Sequence, residues 1–104
     1  MENINVQELN QWIAENKKIV LLDVRTQEEY DHNGRIKNTK LIPLDQLGNR
    51  INELSPQDTI VCICRSGNRS GFACGTLQRA GFANVYNLTG GMIAWQRAGY
   101  DMKR

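Results

Sequence analysis

Thr59-Ile60-Val61-Cys62-Ile63-Cys64-Arg65-Ser66-Gly67-Asn68-Arg69-Ser70 is the stretch that decides the fold. Its first five residues form an apolar, mostly β-branched run, the pattern of a buried strand in a parallel sheet. Ser66, Gly67 and Asn68 then signal a tight loop, and residues Gly71 to Ala80 read as a helix that Gly81 stops. Cys64 therefore stands at a strand-to-helix turn. At such a turn successive backbone N–H groups converge on one point, and the positive end of the helix dipole faces the same point. Arg65 and Arg69 add two fixed charges. A thiol in that field is expected to ionise more readily than free cysteine, and the thiolate is the nucleophilic form.

Outward from this stretch, strands and helices alternate. Ile4 reads as a very short strand, and Asn5 with Glu8 forms a capping box opening a helix whose Val6, Leu9, Trp12 and Ile13 share a face. Ile19 to Val24 is a second buried strand. Thr26 with Glu29 is another capping box, starting a short helix through Tyr30 that the Asn33-Gly34 turn ends. Lys40-Leu41-Ile42 is a strand closed by Pro43, and Leu44, Leu47, Ile51 and Leu54 repeat at helical spacing beyond it. Asn84 to Leu88 makes a last strand, Thr89-Gly90-Gly91 a backbone-dominated turn, and Met92 to Ala98 a last helix ended by Gly99. The expected fold is α/β: one domain over residues 1–104, a central parallel sheet with helices on both faces, and ligands at the carboxyl ends of the strands. Asp23 and Arg25 end their strand on the same side of the sheet as Cys64.

A chain of 104 residues hides about two thirds of its unfolded surface, enough for one core. Charged residues make up 23% and apolar residues 40%, and the net charge is +2 with no basic run. That balance speaks against nucleic-acid or membrane binding. The acidic, non-apolar start at Met1-Glu2-Asn3 is unlike a signal peptide, so the default expectation is a cytoplasmic location. Three cysteines, an odd number, argue against a disulfide framework. Cys62-x-Cys64 with Cys74 lacks the ligand number and spacing of a structural zinc site, so no metal is expected. Cys62 reads as a small apolar residue of the buried strand, and Cys74 as a helix residue near the loop.

The segment Cys64-Arg65-Ser66-Gly67-Asn68-Arg69-Ser70 resembles the active-site loop of rhodanese-like sulfurtransferases, in which the first cysteine carries a sulfane sulfur as a persulfide. Leu21-Leu22-Asp23-Val24-Arg25 through Glu28-Glu29-Tyr30 to Ile42-Pro43-Leu44 is similar to the early motif of that family. Leu88-Thr89-Gly90-Gly91-Met92-Ile93-Ala94-Trp95 is similar to the late one. The resemblance spans nearly the whole chain in the right order. It implies covalent catalysis through Cys64 without metal or organic cofactor, a donor such as thiosulfate, and a thiol, cyanide or a protein as sulfur acceptor. Arg35 stands where the early motif often has histidine, and Lys37-Asn38-Thr39-Lys40 is more polar than usual there. His32, in a polar run, does not read as a general base.

Within the segment, Arg65 is expected to project outward and meet an anionic donor, and Arg69 to brace the loop against Asp23 or Glu28. Gly67 is expected to adopt a backbone angle that other residues resist. Ser66, Asn68 and Ser70 are candidate hydrogen-bond donors to an oxyanion or persulfide, each readable equally as an ordinary loop residue. The polar residues after Cys64 are expected to leave it near solvent. Asp23, Arg25 and Glu28 read as supporting residues, and Gly90, Gly91 and Trp95 as a tight turn and a core anchor. Two other functions compete. Phosphatases of the same fold need Cys-x5-Arg, whereas Cys64 to Arg69 is Cys-x4-Arg, one residue short. A persulfide carrier or regulatory binding module acting on one protein partner, with little small-molecule turnover, is the remaining alternative.

Overall fold

The computed structural model describes residues 2–104. Five parallel strands lie in the order β1-β5-β4-β2-β3, with β1 Glu2–Ile4, β2 Val20–Asp23, β3 Thr39–Leu41, β4 Thr59–Ile63 and β5 Asn84–Leu88. The connecting helices are α1 Val6–Ala14, α2 Gln27–His32, α3 Leu47–Arg50, α4 Asn68–Arg79 and α5 Gly91–Arg97. The expected α/β architecture is the observed one. β4 occupies the middle of the sheet, which is why its sequence carries no polar face.

Alternation along β4 sorts the core into two layers. Ile60, Cys62 and Cys64 point to the side covered by α4, packing with Ala73, Cys74 and Leu77, whereas Val61 and Ile63 join Leu9, Met92 and Trp95 on the other. Burying each large apolar side chain contributes roughly 1.5–3 kcal/mol. Trp95 is held further by its indole N–H, which donates to the Asp101 carbonyl at 2.9 Å, and by an edge contact with Tyr100. Both predicted capping boxes are present, Asn5 with Glu8 and Thr26 with Glu29. On α1 the core face is narrower than expected: Val6 and Leu9 are buried, Trp12 lies edge-on to Tyr86, and Ile13 stays at the rim, 37% exposed.

Beyond shifts of one or two residues at several element ends, two features depart from the sequence reading. The helical repeat from Leu44 to Leu54 is not one helix but a single α-turn flanked by 3-10 turns at Leu44–Gln46 and Ile51–Glu53. Gly48 and Asn49 at its centre are poor helix formers, so packing of the leucines rather than propensity shapes the segment. Of more consequence, α4 begins at Asn68 rather than Gly71. Gly67 turns the chain with φ 106, a left-handed conformation that lets the helix start at once. Among the described residues no helix is long and apolar enough to cross a membrane.

Candidate active site

β2 and β4 are paired in register, Asp23 opposite Ile63, so their carboxyl ends release Arg25 and Cys64 at the same edge of the sheet. The turn that follows β4 is gripped from behind by α5. The Met92 N–H donates to the Cys64 carbonyl at 2.9 Å, and the Ile93 N–H to the Arg65 carbonyl at 3.0 Å. Gly91 has φ 53, and a Cβ there would overlap both carbonyls, so only glycine permits this approach. With its carbonyls bound to α5, the turn presents its N–H groups to the sulfur.

The Gly67 N–H donates to Cys64 Sγ at 3.0 Å, and the Ser70 hydroxyl lies 3.3 Å from the same sulfur. Burial pushes the Cys64 thiol up. Hydrogen bonds from the Ser70 hydroxyl and from the backbone N–H groups of Ser70, Gly67 and Ser66 outweigh it, so the thiol lies below its ordinary value. The arrangement can therefore hold a negative sulfur, whether thiolate or persulfide. Cys64 is not near solvent as expected: the residue is 1% exposed, because the turn folds over it and Sγ points inward to α4. Neither the Ser66 hydroxyl nor the Asn68 side chain makes a hydrogen bond among the described residues.

Arg69 pairs with neither Asp23 nor Glu28 but with Glu29, Nη1 to Oε1 at 2.6 Å and Nη2 to Oε2 at 2.8 Å. Asp23 is already taken. It is wholly buried and receives Nε and Nη2 of Arg25, whose guanidinium also donates to the Gly34 carbonyl at 3.0 Å. Removing either partner would strand a buried charge, a loss of about 3–5 kcal/mol. Glu28 sits one position earlier on α2 and points to solvent, whereas Glu29, third in the helix, turns back toward Thr26 and Arg69. Arg69, with Thr26, holds the Glu29 carboxyl at about 2 against desolvation. Arg65 is exposed and lines a cleft of about 330 Å³ with Arg25, Glu29, His32, Gln96 and Arg104. His32 ends α2, its Nδ1 3.2 Å from the Glu28 carbonyl, with no contact to Cys64.

Cys62 and Cys74 lie in the same core layer beneath the turn, and the neighbouring Cys74 thiol together with burial pushes the Cys62 thiol well up. Neither touches Cys64 Sγ by hydrogen bond, and no cluster of three or more metal-ligating side chains forms among the described residues. One residue at the site was not singled out from sequence: Asn87, buried in β5, accepts from the Ser70 hydroxyl at 2.5 Å and donates to the Gly67 carbonyl at 3.1 Å. The available signal was a polar amide inside the strand, between Tyr86 and Leu88.

Residues 5–98 match the rhodanese-like domain family. A sulfurtransferase of Allochromatium vinosum is 35% identical over 99 residues, covering 95% of this chain and 92% of that protein. A Bacillus subtilis protein, provisionally named as a sulfur carrier, is 37% identical over 92 residues, and the match covers 88% of this chain but only 49% of that one. The crystal structure of a rhodanese-related protein from Thermoplasma volcanium superposes with a TM-score of 0.90 at 31% identity, over 99% of this chain and 98% of that one.

Proposed function

This chain belongs to the rhodanese-like family, and we propose that it is a sulfurtransferase that carries a sulfane sulfur as a persulfide on Cys64. Sulfur transfer as such is what the family and its named relatives support. The observation that carries the finer reading is the Gly67 N–H donating to the Cys64 sulfur with the Ser70 hydroxyl against it, in surroundings that hold the thiol below its ordinary value. With thiosulfate as donor, the Cys64 thiolate attacks the outer sulfur. A Cys64 S–S bond forms, the donor's own S–S bond breaks, and sulfite leaves with the bonding electrons. The charge now rests on the terminal sulfur of the persulfide, where the donors of the turn stabilise it. A thiol, cyanide or protein acceptor then attacks that terminal sulfur, and Cys64 departs as thiolate. Arg65 faces the adjoining cleft, where it would draw an anionic donor.

A phosphatase reading is disfavoured twice over: the spacing is Cys-x4-Arg, and Arg69 is already engaged by Glu29 through both of its terminal nitrogens. Incubation with thiosulfate followed by intact-mass measurement tests the proposal. The protein should gain the mass of one sulfur atom and release sulfite, and Cys64→Ser should gain nothing. Persulfide formation without turnover on cyanide, but with transfer to a protein acceptor, would assign it instead as a carrier. No persulfide together with release of phosphate from an aryl phosphate would overturn the sulfur reading.

A further inference from the structure

Asn87 lies opposite Cys62 in the β4–β5 pairing and two residues beyond Val85, so its side chain falls on the face of the sheet that α4 covers. A primary amide there is costly unless bonded. Its bonds close a circuit. The Gly67 N–H donates to Cys64 Sγ, Sγ lies against the Ser70 hydroxyl, that hydroxyl donates to Asn87 Oδ1, and Asn87 Nδ2 donates back to the Gly67 carbonyl. The Gly67 carbonyl also fixes which way the amide points. Turned over, Asn87 would set its own oxygen against another acceptor.

We infer that Asn87 is a positioning residue for Cys64: it competes with the anionic sulfur for the one proton of the Ser70 hydroxyl while anchoring Gly67. Proton counting carries the argument. When Cys64 is a thiol, its S–H donates to Ser70 Oγ, Ser70 donates to Asn87, and every group is satisfied. Once the sulfur is a thiolate it only accepts. Ser70 then has one proton for two acceptors, and turning it toward the sulfur gains a charge-assisted bond but leaves Asn87 Oδ1 without its donor. Asn87 thus holds the ionisation of Cys64 higher than Ser70 alone would. That preserves nucleophilicity, which falls as a thiol becomes more acidic. The consequence for turnover rests on the sulfurtransferase reading, whereas the effect on ionisation does not.

The titratable and charged groups around the sulfur are Cys62 on β4, Cys74 and Arg69 on α4, Arg65 in the turn and the Asp23–Arg25 pair at the end of β2, with Glu29 of α2 reaching it through Arg69. None is altered in the following test. The rate of Cys64 alkylation by iodoacetamide, assigned by peptide mass, is followed against pH for the wild type, Ser70→Ala, Asn87→Leu and the double variant. Ser70→Ala should raise the midpoint. Asn87→Leu should lower it by about half a pH unit, and should not lower it when Ser70 is absent. An equal shift with and without Ser70, or a folded Asn87→Leu with the wild-type midpoint, overturns the inference. If leucine prevents folding, Asn87→Ala enters the same cycle. The unaltered protein supplies a further check by NMR: the Asn87 side-chain amide signals should titrate with the Cys64 midpoint and lose that titration in Ser70→Ala. Signals that stay still through the wild-type midpoint refute the competition whatever the alkylation result.

Discussion

Arg69 and Glu29, forty residues apart in sequence, meet through two parallel N–H···O bonds that tie the first turn of α4 to the first turn of α2. The same carboxylate also accepts from the Thr26 N–H at 3.0 Å, so one glutamate caps its own helix and anchors the helix into which the Cys64 turn leads. The pair is partly exposed, so its contribution to stability is about 1 kcal/mol after solvent screening.

The pH dependence of that contribution has a definite sign. The Glu29 carboxyl is depressed to about 2 from an unperturbed 4.5, so the stabilisation is complete above the unfolded value and is lost as pH falls through the folded one. Thermal melts of the wild type and Glu29→Gln should differ by about 4–8 °C near neutral pH. The gap should close progressively between pH 4.5 and about 2. A gap that is constant across that window would show that the carboxylate's charge is not what matters.

Cys62 within β4 and Cys64 just beyond its end should separate chemistry from stability. Cys64→Ser is expected to abolish sulfur transfer from thiosulfate to cyanide with the fold intact. Cys62→Ser places a hydroxyl in a wholly buried strand beside Cys74 and should cost about 1–3 kcal/mol while leaving Cys64 competent. Denaturant melts and steady-state assays on both proteins decide it. A folded, stable Cys62→Ser protein without turnover would reverse the roles.

The two arginines of the segment should divide in the same way. Arg65 is exposed on the cleft, and on the proposed reading it meets an anionic donor before bond breaking, so Arg65→Ala should raise KM for thiosulfate severalfold with little change in Tm. Arg69→Ala removes the bond to Glu29 and should lower Tm by about 4–8 °C. Raising the ionic strength should weaken the Arg65 effect. Equal changes in KM and Tm for both variants would mean that neither arginine has a separate task.

What could be read from the sequence was local or periodic. The alternation of strands and helices, the buried run of β4 and the pairs Asn5–Glu8 and Thr26–Glu29 all lie within a few residues of each other. Arg69's partner was not of that kind. Glu29 was accounted for as a cap, and nothing in the order of residues says that a second oxygen of the same carboxylate reaches across the sheet edge. Asp23 and Glu28 failed as partners because Arg25 saturates one and the helix phase turns the other to solvent. Asn87 and the inward aim of Cys64 depend on how β5 and α4 close around the turn, which a linear pattern does not contain. The late glycines were legible as a turn, but not as the surface on which the Cys64 turn rests.

That last contact yields the most demanding prediction. Gly91 opens α5 with φ 53, and a methyl group at its Cα would collide with the carbonyls of Cys64 and Arg65, both backbone atoms that cannot swing aside. Gly91→Ala must therefore push α5 away or twist the turn, and either movement breaks the bonds from Met92 and Ile93. Freed carbonyls would rotate the peptide planes that now aim N–H groups at the sulfur, raising the Cys64 thiol toward its ordinary value. The variant should lose about 2–3 kcal/mol of stability from strain and lost packing. At pH 7 the alkylation rate of Cys64 in the folded fraction should fall, and raising the pH should restore it. Gly99, with open space around its Cα, is the control: Gly99→Ala is strained by its φ of 77 but touches nothing near the sulfur, so it should leave the alkylation profile of Cys64 unchanged. If Gly91→Ala loses stability yet keeps the wild-type alkylation profile, α5 only supports the fold, and the N–H groups of the turn are aimed by the turn itself.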